Sequence, residues 1–359
     1  MKNIIGAKLT LPDPETGLAA ASVKFLTVDE ESAGQRLDNF LFRHLKGVPK
    51  THVYRIIRSG EVRINKARAA ADTRIESGDV LRLPPVRISP KVAEAIAAPA
   101  PPREFPVLLE DDWLMAIDKP AGVAVHGGSG VSFGVIEQLR TARPGAKLLE
   151  LVHRLDRETS GILLVAKKRS ALTGLQEQFR ERQTGKTYLA LVDGRWPAKT
   201  KVLDAPLAKY LLPGPGGVGE GERRVRVVAK DHPDAMRAIT LVRVVASVQL
   251  PGDTAPMSLL AVTIKTGRTH QIRVHLASAG HPIAGDDKYG QFERNRILQK
   301  IGLKRMFLHA WRLQFTHPSS GERIALQADL PAELRAVLPA APLASLANTP
   351  AHPPASESE

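Results

Sequence analysis

The sequence contains no cysteine in 359 residues. That absence removes disulfides, thiolate nucleophiles, iron–sulfur clusters and cysteine-type zinc sites together, and with them a secreted fold held by bridges. Nowhere does an apolar run approach the ~18–20 residues of a membrane span. The N-terminal residues Met1 to Gly6 also lack a signal-peptide apolar stretch. The expectation is therefore a cytoplasmic protein with no membrane partner. No segment repeats at a fixed period, no serine sits in a nucleophile elbow, and no nucleotide-binding loop is visible.

What is present in excess is positive charge. Lys and Arg number 51 against 37 Asp and Glu, a formal net charge of +14. Such a balance favours a polyanionic partner, of which nucleic acid is the commonest. Apolar residues make up 43% of the chain, enough for a buried core. The length suggests two domains, or one large domain with an appendage. Residues 1–34 read as an N-terminal extension with a strand over 23–28. Residues 35–85 hold eleven Lys and Arg against five Asp and Glu, and this basic module extends to 87. An Ala/Pro linker follows at 88–104, semi-extended where prolines cluster. The body runs from 105 to 338, and the Ala-, Pro- and Ser-rich tail, 339–359, is expected to be disordered.

Within the body, β-branched apolar runs at 162–165, 188–192, 239–242 and 259–264 predict strands. Helical patterns separate only some of them, at 170–182 and 270–279, and the Gly/Pro-rich stretch 213–219 reads as a loop tip. Strands without regular crossover helices predict an α+β body with a mixed, largely antiparallel sheet.

In the basic module, Leu37, Phe40, Leu41, His44 and Leu45 recur at helical spacing, and a second helix is predicted from Lys50 to Ser59 with Gly60 as its stop. Arg43, Lys46, Lys50, Arg55, Arg58, Arg63, Lys66 and Arg68 can then share one cationic surface. Composition alone allows a solvated charged face as readily as a nucleic-acid surface. The segments Gln35 to Leu41 and Tyr54 to Asn65 resemble the S-four RNA-binding domain, in which two helices present basic side chains to structured RNA.

Two stretches of the body carry candidate chemistry. In the first, Leu151 to Lys167, Asp156 stands between Arg154 and Arg157 just before a turn and a strand. It reads either as a structural ion pair or, in a chain without cysteine, as a carboxylate nucleophile or base. In the second, Ile264 to Leu276, a strand ends at a Thr-Gly turn and a helix opens with His270, Gln271 and Arg273 near its start. A metal site is not expected. His270 and His275 are five apart rather than three or four, and no acidic residue stands at a ligand interval.

His153-Arg154-Leu155-Asp156 resembles the signature of the RNA pseudouridine synthases of the large-subunit ribosomal subfamily. Counterparts of Asp118 to Val123, Lys186 to Ala190, Thr266 to His275 and Phe307 to Ala310 follow in that family's order. Asp118 departs from the asparagine often found there. The resemblance implies an α+β protein: a small N-terminal S-four-type RNA-binding domain plus a pseudouridine synthase catalytic domain. It implies isomerisation of uridine in 23S ribosomal RNA by a monomer that needs no cofactor and no metal. Asp156 is then the essential carboxylate and Arg273 the cation that keeps it ionised, with Arg268 as fallback. Tyr188 stacks on the target base, and Arg154 helps displace the nucleotide from its stack. The competing readings are a non-catalytic RNA-binding or ribosome-assembly factor, and the same chemistry on tRNA.

Overall fold

A computed structural model describes residues 23–30, 32–45, 48, 50–86, 100–127, 133–214, 217–347 and 349. Most of the N-terminal extension, most of the linker and the end of the tail lie outside these residues. The chain divides into two compact units, 1–99 and 100–359.

The first unit packs two helices on a small sheet. Strand β1 (Lys24–Thr27), helices α1 (Leu37–His44) and α2 (Lys50–Arg58), and strands β2 (Arg63–Ile64), β3 (Ala67–Arg68) and β4 (Val80–Leu83) follow in order. The sheet runs β1-β4-β2-β3, antiparallel throughout. Leu37, Phe40 and Leu41 from α1 meet Val53, Ile56 and Ile57 from α2 in one buried cluster with Val28, Val62, Ile75 and Leu81. The helical spacing therefore fixes the inward face as expected, with one exception. His44 lies exposed, its ring tilted against Phe40 with centroids 4.2 Å apart. Gly60 ends α2 at φ 75°, the left-handed stop that glycine adopts without steric cost.

The second unit is built on a sheet whose central strands are buried on both faces. Its elements are β5 (Val107–Glu110), β6 (Leu114–Lys119), α3 (Val135–Ala142), β7 (Glu150–Leu151), β8 (Ser160–Ala166), α4 (Arg169–Arg180) and β9 (Gly185–Asp193), then β10 (Val202–Asp204), β11 (Leu207–Gly214), β12 (Gly217–Val227), β13 (Ile239–Val248) and β14 (Met257–Ile264). Helices α5 (Gln271–Ser278) and α6 (Phe292–Lys300), strands β15 (Leu308–Thr316) and β16 (Arg323–Gln327), and helices α7 (Ala332–Arg335) and α8 (Ala340–Ala347) complete it. The large sheet runs β10-β13-β14-β9-β15-β8-β6-β5, with β16 beside β15 and β7 beside β8. β15 and β8 pair in parallel, and the remaining strand pairs of this sheet among the described residues are antiparallel.

Period-two alternation explains why β6 and β8 read as continuous apolar runs. Met115, Ile117, Leu163 and Val165 enter one cluster, closed by Val135, Ile136 and Leu139 of α3. Leu114, Ala116, Ile162, Leu164 and Ala166 enter another, closed by Ala171, Leu172 and Leu175 of α4. Gly161 sits where β8 and β15 meet. A Cβ there would lie 2.2 Å from the Ala310 carbonyl oxygen, and its φ of 108° is open to glycine alone.

Two expectations fail here. The stretch 213–219 does not form a loop throughout, because β11 and β12 pair antiparallel up to Pro213 and Gly214; residues 215–216 lie outside the described residues. The tail from 339 is not disordered over its first part, because residues 340–347 form α8. Alanine is the strongest helix former, Pro342 falls in the first turn where its missing N–H costs nothing, and Leu343 and Leu346 pack on the cluster holding Val248 and Leu250.

Candidate active site

The loop between β7 and β8 alternates anchored and presented residues. His153 accepts the Leu164 N–H at Nε2, 3.1 Å, and stacks on Phe179 at 4.7 Å. Burial, reinforced by the Lys186 charge, pushes its pKa down to about 3, so the ring is a neutral anchor. Leu155 is buried in the cluster beside α3. With His153 and Leu155 held, Arg154 and Asp156 face a cleft of about 320 Å³, which Arg157, His270, Arg273 and Lys288 also line.

The loop is clamped from another strand. Lys119, at the end of β6, is fully buried, and its Nζ donates to the carbonyls of Pro120, Val123 and Arg157 at 2.8, 2.9 and 3.2 Å. The Gly122 N–H reaches the same Arg157 carbonyl. Three carbonyls match the three donors of an ammonium. Burial nevertheless pulls the Lys119 pKa down to about 7, against the opposing charge of Glu158. On the other flank, Arg305 donates to the Glu158 carbonyl at 3.3 Å and to Ser160 Oγ at 2.9 Å.

Arg273 joins the two candidate stretches of sequence in space. Its Nε and Nη2 donate to the two oxygens of Asp286 at 2.8 and 2.7 Å, and its Nη1 donates to Asp156 Oδ2 at 3.3 Å. The side chains of Arg273, Asp286 and Asp156 are 4%, 0% and 21% exposed. The fork therefore rests on a buried carboxylate and spends its remaining arm on one open to the cleft. Burial would raise the Asp286 pKa. The Arg273 hydrogen bonds and charge, with the N–H groups of Lys288 and Tyr289, outweigh it and hold the carboxyl below its usual range. Burial likewise works against the Arg273 charge, and the Asp286 contacts outweigh it, so the guanidinium stays protonated. Gly285 allows the turn that delivers Asp286: its φ is 77°, and a Cβ would lie 2.3 Å from the Arg305 carbonyl oxygen.

The other expected residues divide. Tyr188 is partly buried and packs against both the cluster holding Leu155 and the cluster holding Ile272, but it is not among the residues lining the cleft. Burial and the Asp156 charge raise its pKa, so it remains a phenol. Arg268 does not reach Asp156. It is exposed and donates to the Arg237 carbonyl at 3.2 Å, so the fallback role falls to no one while Arg273 is in place. In the first unit Arg43, Arg55, Arg58 and Lys66 are exposed and Arg63 is half-buried. Lys46 lies outside the described residues, as does the side chain of Lys50.

Asp286, Lys119 and Tyr289 were not singled out by the sequence. Asp286 pairs across a turn whose path depends on Gly285, and nothing local signals it. Lys119 does carry a signal: a lysine ending an apolar strand before Pro-Ala-Gly has no solvent to face. Among the described residues no group of three His, Asp or Glu side chains is arranged to hold a metal, and no helix is long and apolar enough to cross a membrane.

Comparison with known proteins gives the family and the fold. Residues 113–278 match the RNA pseudouridylate synthase family, and residues 35–81 match the S4 domain. The chain is 49% identical over 320 residues to ribosomal large subunit pseudouridine synthase C of Pasteurella multocida, covering 88% of this chain and 93% of that protein. It is 48% identical over 322 residues to the protein of the same name from Escherichia coli, covering 88% and 96%. Among solved structures, human RNA pseudouridylate synthase domain containing 1 superposes with a TM-score of 0.53 at 23% identity, covering 71% of this chain and 99% of that one. Human RNA pseudouridylate synthase domain containing 4 gives a TM-score of 0.50 at 26% identity, covering 67% and 93%.

Proposed function

The chain belongs to the RNA pseudouridylate synthase family, and from that premise we propose that it isomerises specific uridines of large-subunit (23S) ribosomal RNA to pseudouridine, as a cytoplasmic monomer. The bond between ribose C1′ and uracil N1 breaks, the base turns, and C1′ bonds to C5. C5 then loses a proton and N1 gains one. No electrons enter or leave, so the chemistry calls for neither cofactor nor metal.

Asp156 is the carboxylate that acts on the ribose. The observation that carries this reading is the Arg273 guanidinium, locked bidentately on buried Asp286 with one arm on Asp156. It keeps Asp156 oriented without solvent reorganisation, which is how a preorganised site lowers a barrier. Tyr188 backs the target base as a protonated phenol. Arg154, exposed at the cleft, takes the place of the displaced nucleotide. Unstacking a base costs a few kcal/mol. Phosphate contacts from Arg43, Lys46, Lys50, Arg55, Arg58, Arg63 and Lys66 offset it.

The test is to map pseudouridines in rRNA and tRNA from a deletion strain complemented with wild type or with Asp156→Ala. Large-subunit rRNA sites should vanish on deletion and return only with wild type. Loss confined to tRNA, no loss at all, or restoration by Asp156→Ala contradicts the reading.

A further inference from the structure

The helix that carries Arg273 starts from a left-handed residue that is not glycine. His270 has φ 52° and ψ 21°, a conformation uncommon for residues with a Cβ and one that clusters at functional sites. It aims the imidazole at two groups. Nδ1 lies 2.8 Å from the Tyr289 hydroxyl, and Nε2 lies 3.9 Å from Asp156 Oδ2. The Tyr289 hydroxyl accepts the Val225 N–H of β12 at 3.1 Å. Its own proton is then left to donate, and His270 Nδ1 is the acceptor at bonding distance. Burial disfavours the imidazolium, with Asp156 opposing and the Arg273 and Lys288 charges adding to the fall, so the ring is neutral near pH 7. An accepting Nδ1 on a neutral ring puts the proton on Nε2, the nitrogen that faces Asp156.

Tyr289 is itself fixed. It packs against a small cluster of Leu207, Val225, Ala238 and Val274, which ties the base of the β11–β12 hairpin to the Arg273 helix. Its ring also lies under the Arg273 guanidinium at 5.1 Å.

We propose that Tyr289 and His270 form a positioning pair for Asp156, in which the Tyr289 hydroxyl sets the imidazole tautomer and His270 turns its Nε2–H toward Asp156 Oδ2. Arg273 approaches the same oxygen. Both donors converge on Oδ2, which leaves Oδ1 to act on the ribose. A separation of 3.9 Å is a charge–dipole approach, of the kind that tightens to a hydrogen bond in a Michaelis complex. The proposal rests on Asp156 as the reacting carboxylate.

Full-length protein labelled with ¹⁵N-histidine tests it by NMR, with His270→Asn assigning the His270 signals. Nδ1 should be unprotonated and Nε2 protonated in wild type, and Tyr289→Phe should abolish that preference. In single turnover on large-subunit rRNA at saturation, Tyr289→Phe should slow the reaction roughly 10–100-fold with RNA affinity unchanged, as small misplacements do. His270→Gln, whose amide can reach Asp156, should retain more rate than His270→Asn, which suits the left-handed backbone but is too short. A wild-type His270 protonated at Nδ1, or His270→Asn at the wild-type rate, overturns the pair. An inactive wild type strikes the functional reading instead, since the tautomer is read without turnover.

Discussion

Arg273 of the second unit and Arg55 and Arg58 of the first use the same side chain in opposite ways. In the second unit Arg273 is buried, its fork closed on Asp286 and its last arm on Asp156. In the first unit Arg55 and Arg58 stand in solvent, with contacts no stronger than His52 Nε2 at 3.3 Å and the Tyr54 carbonyl at 3.4 Å. A buried, fully partnered charge has no freedom to adapt to a ligand and serves to hold another group in place. An exposed charge on a long stem holds nothing and can follow a phosphate backbone. The net charge of +14 is therefore divided between two jobs that composition cannot separate.

The largest effect that could break this contrast is expected at Arg273. Arg273→Ala leaves Asp286 buried without its partner and should cost about 3–5 kcal/mol in denaturant unfolding, along with nearly all activity. A variant that unfolds like wild type would show that the pair is not an internal strut. Lys119→Met removes the ammonium from the Pro120 and Val123 carbonyls, leaves the Arg157 carbonyl with the Gly122 N–H, and should cost about 1–3 kcal/mol near neutral pH. Its pH dependence gives a second readout. A lysine at about 7 in the folded state and at its ordinary higher value unfolded binds fewer protons folded than unfolded between those values. Wild-type stability should thus gain from this group as pH rises from 7 toward 10, and Lys119→Met should lose that slope.

Arg55→Ala combined with Arg58→Ala should weaken rRNA binding and reduce the salt slope by about 0.7–0.9 for each phosphate no longer neutralised, while the saturated rate holds. The smallest effect is expected at Arg268. Its replacement by alanine should change stability by no more than about 0.5 kcal/mol and leave the saturated rate near wild type, since among the described residues its exposed side chain donates to the Arg237 carbonyl and not to Asp156.

Legibility in the sequence followed the range of the interactions. Strands β8, β9, β13 and β14 of the large sheet and helices α1, α2, α4 and α5 show in local periodicity, because each buries a face or stripe defined within a few residues; β5, β6, β7, β10, β15 and β16 were not marked. Asp156 and Arg273 stand in stretches whose composition and turn chemistry mark them. Asp286 stayed hidden because its importance comes from a fold-dependent return of the chain past Gly285. The α8 segment misled because an Ala/Pro-rich composition shared with linkers conceals two leucines three residues apart, and the hairpin strands misled because their glycines and prolines favour turns wherever no partner strand compensates. Arg268 and Arg273 look interchangeable in sequence. Only the helix start at His270 decides which of them faces the cleft.

The division of labour is tested most directly by measuring RNA affinity and saturating single-turnover rate side by side for Asp156→Ala and for the Arg55→Ala, Arg58→Ala double variant. Release of the uridine C5 proton as tritium from labelled large-subunit rRNA reports the rate. Asp156→Ala should bind like wild type and release no tritium above background, while the double variant should bind more weakly and reach the wild-type rate at saturation. Tritium release by Asp156→Ala, or a saturated rate that falls in the double variant, contradicts the account.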